Sequence, residues 1–395
     1  MISYNLPQRS HTAIKTLFCI LFALLLSGCQ STALYINPDA HFLDQHFPGF
    51  EKIALETEAD VFEIGDEAKL FVDQSLTRAD LSKNRIEALA NSIFFHSEMN
   101  LLYSGSANTT ASQTFENKAA NCLSLVIMAY GMADHANINV KFQQVDIPEL
   151  WVRRDGNKLL NRHVNLRLYQ TDKRNIVMYH VNSYQLDFDR RAQSMRLPVK
   201  EITKQNVLAR FYNNKGADAL IKGKSLKAYA YFRKAIETEN TLDGAWTNLG
   251  ILYKRNKHLK ASENAYLQAI AINSSNLAAL ENLSFIYKLT QREQQAKIIT
   301  AKIHKQRLSN AFYHYMLGNT AYQRQQWKQA IKHYKQAIRL NKRQNNFYFS
   351  IAKSYSQLGD VESSKRYIKL AKRYSYDDAQ QLFYQSKIDK LADHN

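Results

Sequence analysis

From residue 209 onward, apolar residues recur at the three- and four-residue spacing of amphipathic helices, and the pattern returns every 34 residues. Leu249-Gly250 comes back two periods later as Leu317-Gly318. Ala228, Phe232 and Ala235 align with Ser262, Tyr266 and Ala269, then with Ala330, Tyr334 and Ala337, then with Ser364, Ile368 and Ala371. Unit starts fall near residues 209, 243, 277, 311 and 345, which makes about five units. All five prolines lie at or before Pro198, so no ring interrupts a helix in this half. The periodicity predicts helix hairpins stacked in a line. Small Gly250 and Ala269 let paired helices approach, while Trp246, Tyr253 and Tyr266 fill the space between them and are read as core, not as a ligand cage. The third unit departs from the rest. Ser284 stands where other units carry glycine and Ile303 where they carry alanine, which predicts a local distortion or the end of the regular superhelix.

The pattern before residue 200 is mixed. Lys83 to Leu102 reads as an amphipathic helix with Ile86, Leu89, Ala90, Ile93 and Phe94 on one face. A polar loop, Ser104 to Ser112, precedes a second helix from about Ala119. Val140–Val145, His163–Tyr169 and Asn175–Val181 have the alternation and β-branched content of strands. At the N-terminus, Leu17 to Leu26 is a run of ten apolar residues, too short for a membrane-spanning helix and right for a signal-peptide core.

Cysteine divides the chain further. Cys19 lies inside the apolar run, and Cys29 ends Leu26-Ser27-Gly28-Cys29, which resembles a bacterial lipoprotein processing site. That resemblance implies removal of residues 1–29, lipidation of Cys29 and a periplasm-facing anchor. Gln30 after the cysteine favours the outer membrane. Several acyl chains at about 0.8 kcal/mol per buried methylene make such anchoring stable. Cys122 is then the sole thiol of the folded part and has no internal disulfide partner. Two readings stand for it, a small core residue or a nucleophile. It falls in the first turn of an apolar helix, Cys122 to His135, where unpaired N–H groups and the helix dipole favour a thiolate. His163 opens a later strand and Asp187 follows on the next. A thiol, a histidine to take its proton and an acid to orient the histidine are what acyl transfer requires.

Two family resemblances follow. The 34-residue units resemble tetratricopeptide repeats, an all-α solenoid that binds peptides or proteins and rarely does chemistry. The usual turn proline is missing, so helix exits rely on residues such as Asn240, Ser274 and Asn341. By register, Lys254, Arg255, Tyr315, Asn319, Tyr322 and Lys353 face the concave groove, although a merely solvated lysine face is an equal reading of the charged ones. Residues 85–190 resemble the transglutaminase-like superfamily, relatives of papain-type peptidases. The resemblance rests on Thr114-Phe115-Glu116-Asn117-Lys118 leading into Asn121-Cys122-Leu123-Ser124, on Arg162-His163-Val164-Asn165 and on Leu186-Asp187-Phe188. It implies an α+β domain over residues 30–200 with Cys122 as nucleophile, His163 as base and Asp187 as orienting acid, Asp189 being the reserve. Ala120 stands where many relatives have glycine.

Charge separates the two halves. The net charge of +18 resolves into +2 for residues 1–29, −3 for 30–200 and +19 for 201–395. The basic half suits a protein or peptide partner or anionic envelope polymers, and nucleic acid is not expected outside the cytoplasm. No cofactor or metal is expected. There is no glycine-rich phosphate loop and no His-Glu-x-x-His pair, His41, His46 and His96 lack ligand spacing, and Ser106 lacks the glycines of a hydrolase elbow. The sequence thus predicts a lipid-anchored periplasmic cysteine acyl-transfer enzyme (peptidase, amidase or cross-linker) with a repeat module. The alternative is a non-catalytic scaffold or assembly lipoprotein.

Overall fold

The first helices of successive hairpins begin at Asp243, Leu277, Ala311 and Asn345, the positions at which the 34-residue period places unit starts. This computed structural model describes residues 37–77, 85–94, 102–103, 107–145, 151–154, 157–160, 163–169, 183–188, 197–375 and 378–392. Cys19, Cys29, the signal segment 1–29, the Asn175–Val181 strand, residues 83–84 and 95–101 of the Lys83–Leu102 helix and Asp189 lie outside the described residues, and Leu102, expected to end that helix, is in a strand instead.

Each hairpin is closed by a repeated turn. Gly223, Lys257, Gln291, Gln325 and Gly359 all have positive φ, at 34-residue spacing. The next N–H then reaches back to a carbonyl five residues earlier, as in His258 to Tyr253 and Asp360 to Tyr355 at 2.9 and 3.0 Å. This Schellman arrangement satisfies the last carbonyls of the first helix and turns the chain into the second. In the first, second and fourth hairpins, a small residue of the first helix meets the ring of the second sixteen positions on. A Cβ on Gly216 would lie 2.6 Å from the Phe232 ring and one on Gly250 would lie 2.5 Å from Tyr266; Gly318 meets Tyr334 in the same way.

The third unit keeps its hairpin, with helices Leu277–Leu289 and Glu293–Leu308. Inside the hairpin two facing positions change together, and the departure that the sequence predicts lies at its end. Ser284 faces Thr300, which replaces the ring found in the first, second and fourth units, and their hydroxyls lie 3.1 Å apart. Ile303 packs with Leu277 and Leu280. What differs is the exit. The helix ends on Ser309 in αR, whereas Ile272 and Leu340 are followed by extended Asn273 and Asn341. A further helix, Asp378–Ala392, covers the end of the array and was not read from the sequence.

The α+β part begins with a strap. Three 3-10 turns between Pro38 and Lys52 lie against the second helix of the first hairpin (Ser225–Thr238) and the second hairpin. Phe47 stacks on Tyr229 at 4.2 Å between ring centroids. Asp44 accepts from the Tyr229 hydroxyl at 2.6 Å and Arg233 Nε at 3.1 Å, while Leu43 N–H donates to the Tyr253 hydroxyl. Helices Glu58–Phe62, Asp66–Thr77, Arg85–Phe94 and Ala111–Asn117 follow.

The strands are short: β1 Leu102–Tyr103, β2 Ala119–Ala120, β3 Asn139–Val145, β4 Trp151–Arg154, β5 Asn157–Leu160, β6 His163–Tyr169, β7 Ser183–Leu186 and β8 Val199–Ile202. Among the described residues, β1 and β2 form a parallel pair, β4 and β5 a hairpin, and the remaining four an antiparallel sheet in the order β7-β6-β3-β8. The helix Cys122–His135 packs against this sheet and is buried on nearly every side, from Cys122 and Leu123 through Met132 and Ala133. Gly131 admits no side chain there, since a Cβ would lie 2.5 Å from the Phe62 carbonyl oxygen.

Candidate active site

Strand register sets the site. β3 and β6 pair so that Val145 lies opposite His163 and Gln143 opposite Asn165, and β6 and β7 pair Leu166 with Leu186. Directly opposed residues share a face, so Gln143, Asn165 and Asp187, the next residue after Leu186, lie together beside His163. The contacts agree. His163 Nε2 and Asp187 Oδ1 are 2.6 Å apart, and Asn165 Nδ2 donates to Asp187 Oδ2 at 3.1 Å. Asp187, an acceptor on both oxygens, fixes the imidazole with its N–H on Nε2.

Cys122 reaches this pair from the helix. Asn121, extended at φ −88° and ψ 174°, is the N-cap, and its Oδ1 accepts the Ser124 N–H at 2.9 Å. Cys122 is therefore the first helical residue, among N–H groups that have no intrahelical acceptor. Burial alone would push His163 down, but its hydrogen bond to Asp187 and then its interaction with Cys122 raise it from 6.5 to about 9. With Nε2 committed to Asp187, Nδ1 is the nitrogen left for the thiol, and among the described residues no oxygen or nitrogen is hydrogen-bonded to it. The sequence trio Cys122, His163 and Asp187 is thus one cluster. Proton transfer from thiol to Nδ1, with charge held by the carboxylate, is the chemistry this arrangement permits.

Asn165 went unassigned at the sequence level although it stands in Arg162-His163-Val164-Asn165; its two-residue spacing from His163 on a strand was the available signal. Ala120 is fully buried against its surroundings. Among the described residues no group of three or more His, Cys, Asp or Glu has metal-ligand geometry. No helix of the described residues is long and apolar enough to cross a membrane.

The groove residues divide. Arg255 Nη1 donates to the Leu220 carbonyl at 2.8 Å and Asn319 Oδ1 accepts from the Tyr334 hydroxyl at 2.8 Å, so both tie helices together. Tyr315 packs on Phe347 with centroids 5.0 Å apart. Lys254 donates to Asn282 and lies 5.0 Å from the Phe285 ring, and burial followed by the charge of Arg255 lowers its pKa. Lys353 lies over Tyr322 and Phe349. Phe285 and Leu289, one helical turn apart, are 52% and 55% exposed and were not singled out from the sequence.

Family models described as "TPR repeat" match residues 318–359, and those described as "Tetratricopeptide repeat" match residues 243–276 and 346–378. The hairpins over residues 243–276 and 318–378 therefore match tetratricopeptide repeats. The chain is similar to pilF of Pseudomonas aeruginosa, at 19% identity over 48% of this chain and 87% of that one, with a TM-score of 0.26. It is similar to MamA at 17% identity, over 42% and 91% of the two chains, with a TM-score of 0.24. YrrB, a TPR protein with an unusual peptide-binding site, aligns at 13% identity over 45% and 92%, with a TM-score of 0.24. No curated protein sequence matches the chain. A tetratricopeptide array is a protein-interaction module, and here it is built on to a sheet-and-helix part that carries the thiol cluster.

Proposed function

We propose that this protein is a cysteine acyl-transfer enzyme of transglutaminase-like type, held beside a tetratricopeptide array that binds a protein or peptide. The observation that carries the reading is the buried His163–Asp187 pair at 2.6 Å, with the imidazole raised to about 9 by Asp187 and Cys122 together. In this reading Cys122 attacks the carbonyl carbon of a peptide or protein amide. His163 takes the thiol proton and gives it to the departing amine, and the thioester is resolved by water or by an amine. Cys29 supplies a lipid anchor in the outer membrane. The array, with +19 net charge over residues 201–395, holds a protein partner or an anionic envelope polymer.

Burial favours a second reading. His163 is 0% exposed, Asp187 5% and Cys122 6%, a closed arrangement that also suits a non-catalytic scaffold lipoprotein. One experiment separates them. An amide-bearing peptide is incubated with hydroxylamine and the mature protein, and hydroxamate is measured. Formation that disappears in Cys122→Ala and His163→Ala supports the enzyme. No hydroxamate, together with equal iodoacetamide labelling of the native and His163→Ala proteins, leaves the scaffold. Membrane retention of Cys29→Ser would remove the anchor.

A further inference from the structure

The first helix of the repeat array, Lys204–Ile221, reaches the thiol through side chains. Its Asp218 carboxylate accepts a hydrogen bond from Asn108 Nδ2, and Asn108 Oδ1 accepts one from Asn121 Nδ2. Asn121 Oδ1 then accepts the Ser124 N–H at 2.9 Å and caps the Cys122 helix. Chemistry fixes the direction of this chain. A carboxylate only accepts, so Asn108 turns its NH2 toward Asp218 and its oxygen toward Asn121. Asn121 must then offer its own NH2 to Asn108, which leaves its oxygen for the helix. Turning over either amide breaks the links beyond it.

The loop that carries Asn108 is held to the same helix start. Asn121 N–H donates to the Ala107 carbonyl at 3.2 Å, the Ser124 hydroxyl donates to that carbonyl at 3.1 Å, and Thr109 N–H donates to the Ser124 oxygen at 2.9 Å. Asn121 and Ser124 are buried, so water does not readily replace a lost partner. The charge on Asp218 polarises each amide in turn and strengthens the cap at the far end.

We propose that Asp218 is a positioning residue for the Cys122 thiol, acting through Asn108 and Asn121. The proposal rests on the thiol-site reading above. The sulfur must meet His163 Nδ1 in a narrow range of geometry, and the cap sets the first helical turn that carries it. The tetratricopeptide array is then part of the site's assembly and not only a neighbour. A partner that shifts the Lys204–Ile221 helix moves the anchor of the chain.

The test is the rate of Cys122 alkylation by iodoacetamide in the full mature protein, followed by mass spectrometry from about pH 5 to 9, the range in which protein thiols titrate. Asp218→Ala and Asn108→Ala are each expected to slow alkylation at pH 6 by about tenfold, the scale of a lost N-cap, and to move the rise in rate to higher pH. Asp218→Asn keeps an acceptor oxygen and is expected to stay within about threefold of the native rate. The double variant Asp218→Ala/Asn108→Ala is expected to be no slower than either single, because both break one chain. Asn248→Ala removes a 2.8 Å hydrogen bond to Asn213 on the same array helix, outside the chain to Asn121, and is expected to leave the profile unchanged. Profiles of Asp218→Ala and Asn108→Ala that match the native protein overturn the proposal. So does an equal shift in Asn248→Ala, which would assign the effect to general loosening. If the native and His163→Ala profiles coincide, the thiol-site reading fails and takes the proposal with it. If those two differ while Asp218→Ala matches the native, only the positioning chain fails.

Discussion

Polar groups buried in the repeat array hold neighbouring units together, whereas those buried beside the sheet converge on one place. Asp243 accepts from both Asn273 and Asn276, at 2.8 and 2.9 Å, across two hairpins. Arg292 makes two 2.9 Å bonds to Glu263 across the same pair of hairpins. These are local fastenings, and their loss disturbs one interface of an array whose stability is close to a sum over neighbours. In the α+β part, Asn165, Asp187, His163 and Cys122 depend on one another in sequence, and each has a single useful position. Damage should therefore be graded in the array and all-or-none at the thiol.

The widest separation is expected from His163→Ala set against Gly250→Ala. Loss of the base should lower any thiol acyl transfer by about 10²–10⁴-fold, measured as hydroxamate formation, since that is the usual worth of general base catalysis. Gly250→Ala should leave that rate within about twofold, because the site lies in another part of the fold. It should instead cost stability. An exposed helix glycine gains about 1 kcal/mol on replacement by alanine, but here the new Cβ meets the Tyr266 ring at 2.5 Å, and overpacking of about 1–3 kcal/mol outweighs that gain. Urea unfolding measures the difference. Ser284→Ala, beside Thr300, should stay within about 1 kcal/mol of the native protein. Equal losses at Gly250 and Ser284 would break the account of paired small-and-large positions.

How far each region could be read from sequence follows the same division. The array announced itself through repetition, because Trp246, Leu249, Gly250, Tyr253, Tyr266 and Ala269 solve one packing problem that other units solve again. The pairing of Ser284 with Thr300 was missed because substitutions were judged one position at a time. The strap from Pro38 to Lys52 was also missed. Its short turns have no period, and Phe47 gains its meaning only from Tyr229, far along the chain. At the candidate site, Cys122, His163 and Asp187 were legible because chemistry restricts the residue types. Asn165, Asn108 and Asp218 were not, since amides and carboxylates are common on surfaces and only strand register and hydrogen-bond direction give these a role.

Acidity separates the regions next. His163 titrates at 6.5 when unperturbed and at about 9 in the fold, so the folded protein binds the proton more tightly than the unfolded chain. The stabilisation from the His163–Asp187 pair is present in full below pH 6.5 and is lost as pH rises toward 9. The difference in unfolding free energy between the native protein and His163→Gln should shrink across that window. A difference that grew with pH would mean that the pair does not hold the imidazolium form. Gly250→Ala should show the same loss at both ends of the window, because the Tyr266 phenol that it meets is pushed up by burial and does not ionise there.

The smallest effect comes from the hairpin turns. Gly223 and Gly359 adopt φ of 72° and 74° without strain, but Lys257, Gln291 and Gln325 adopt 66°, 59° and 58° at the equivalent positions. A side chain there costs about 1–2 kcal/mol against the following carbonyl. Glycine relieves that strain but adds freedom to the unfolded chain, which returns part of the gain. The net for Gln325→Gly should be a stabilisation of about 0.5 kcal/mol by urea unfolding, with thiol alkylation unchanged. Lys118, at φ 50°, ends the Ala111–Asn117 helix just before the Asn121 cap. Lys118→Gly relieves the same strain, yet it frees the segment that delivers Cys122. A matching gain in stability with slower alkylation would tie thiol geometry to a stiff approach, and unchanged alkylation would leave the cap as its sole local support.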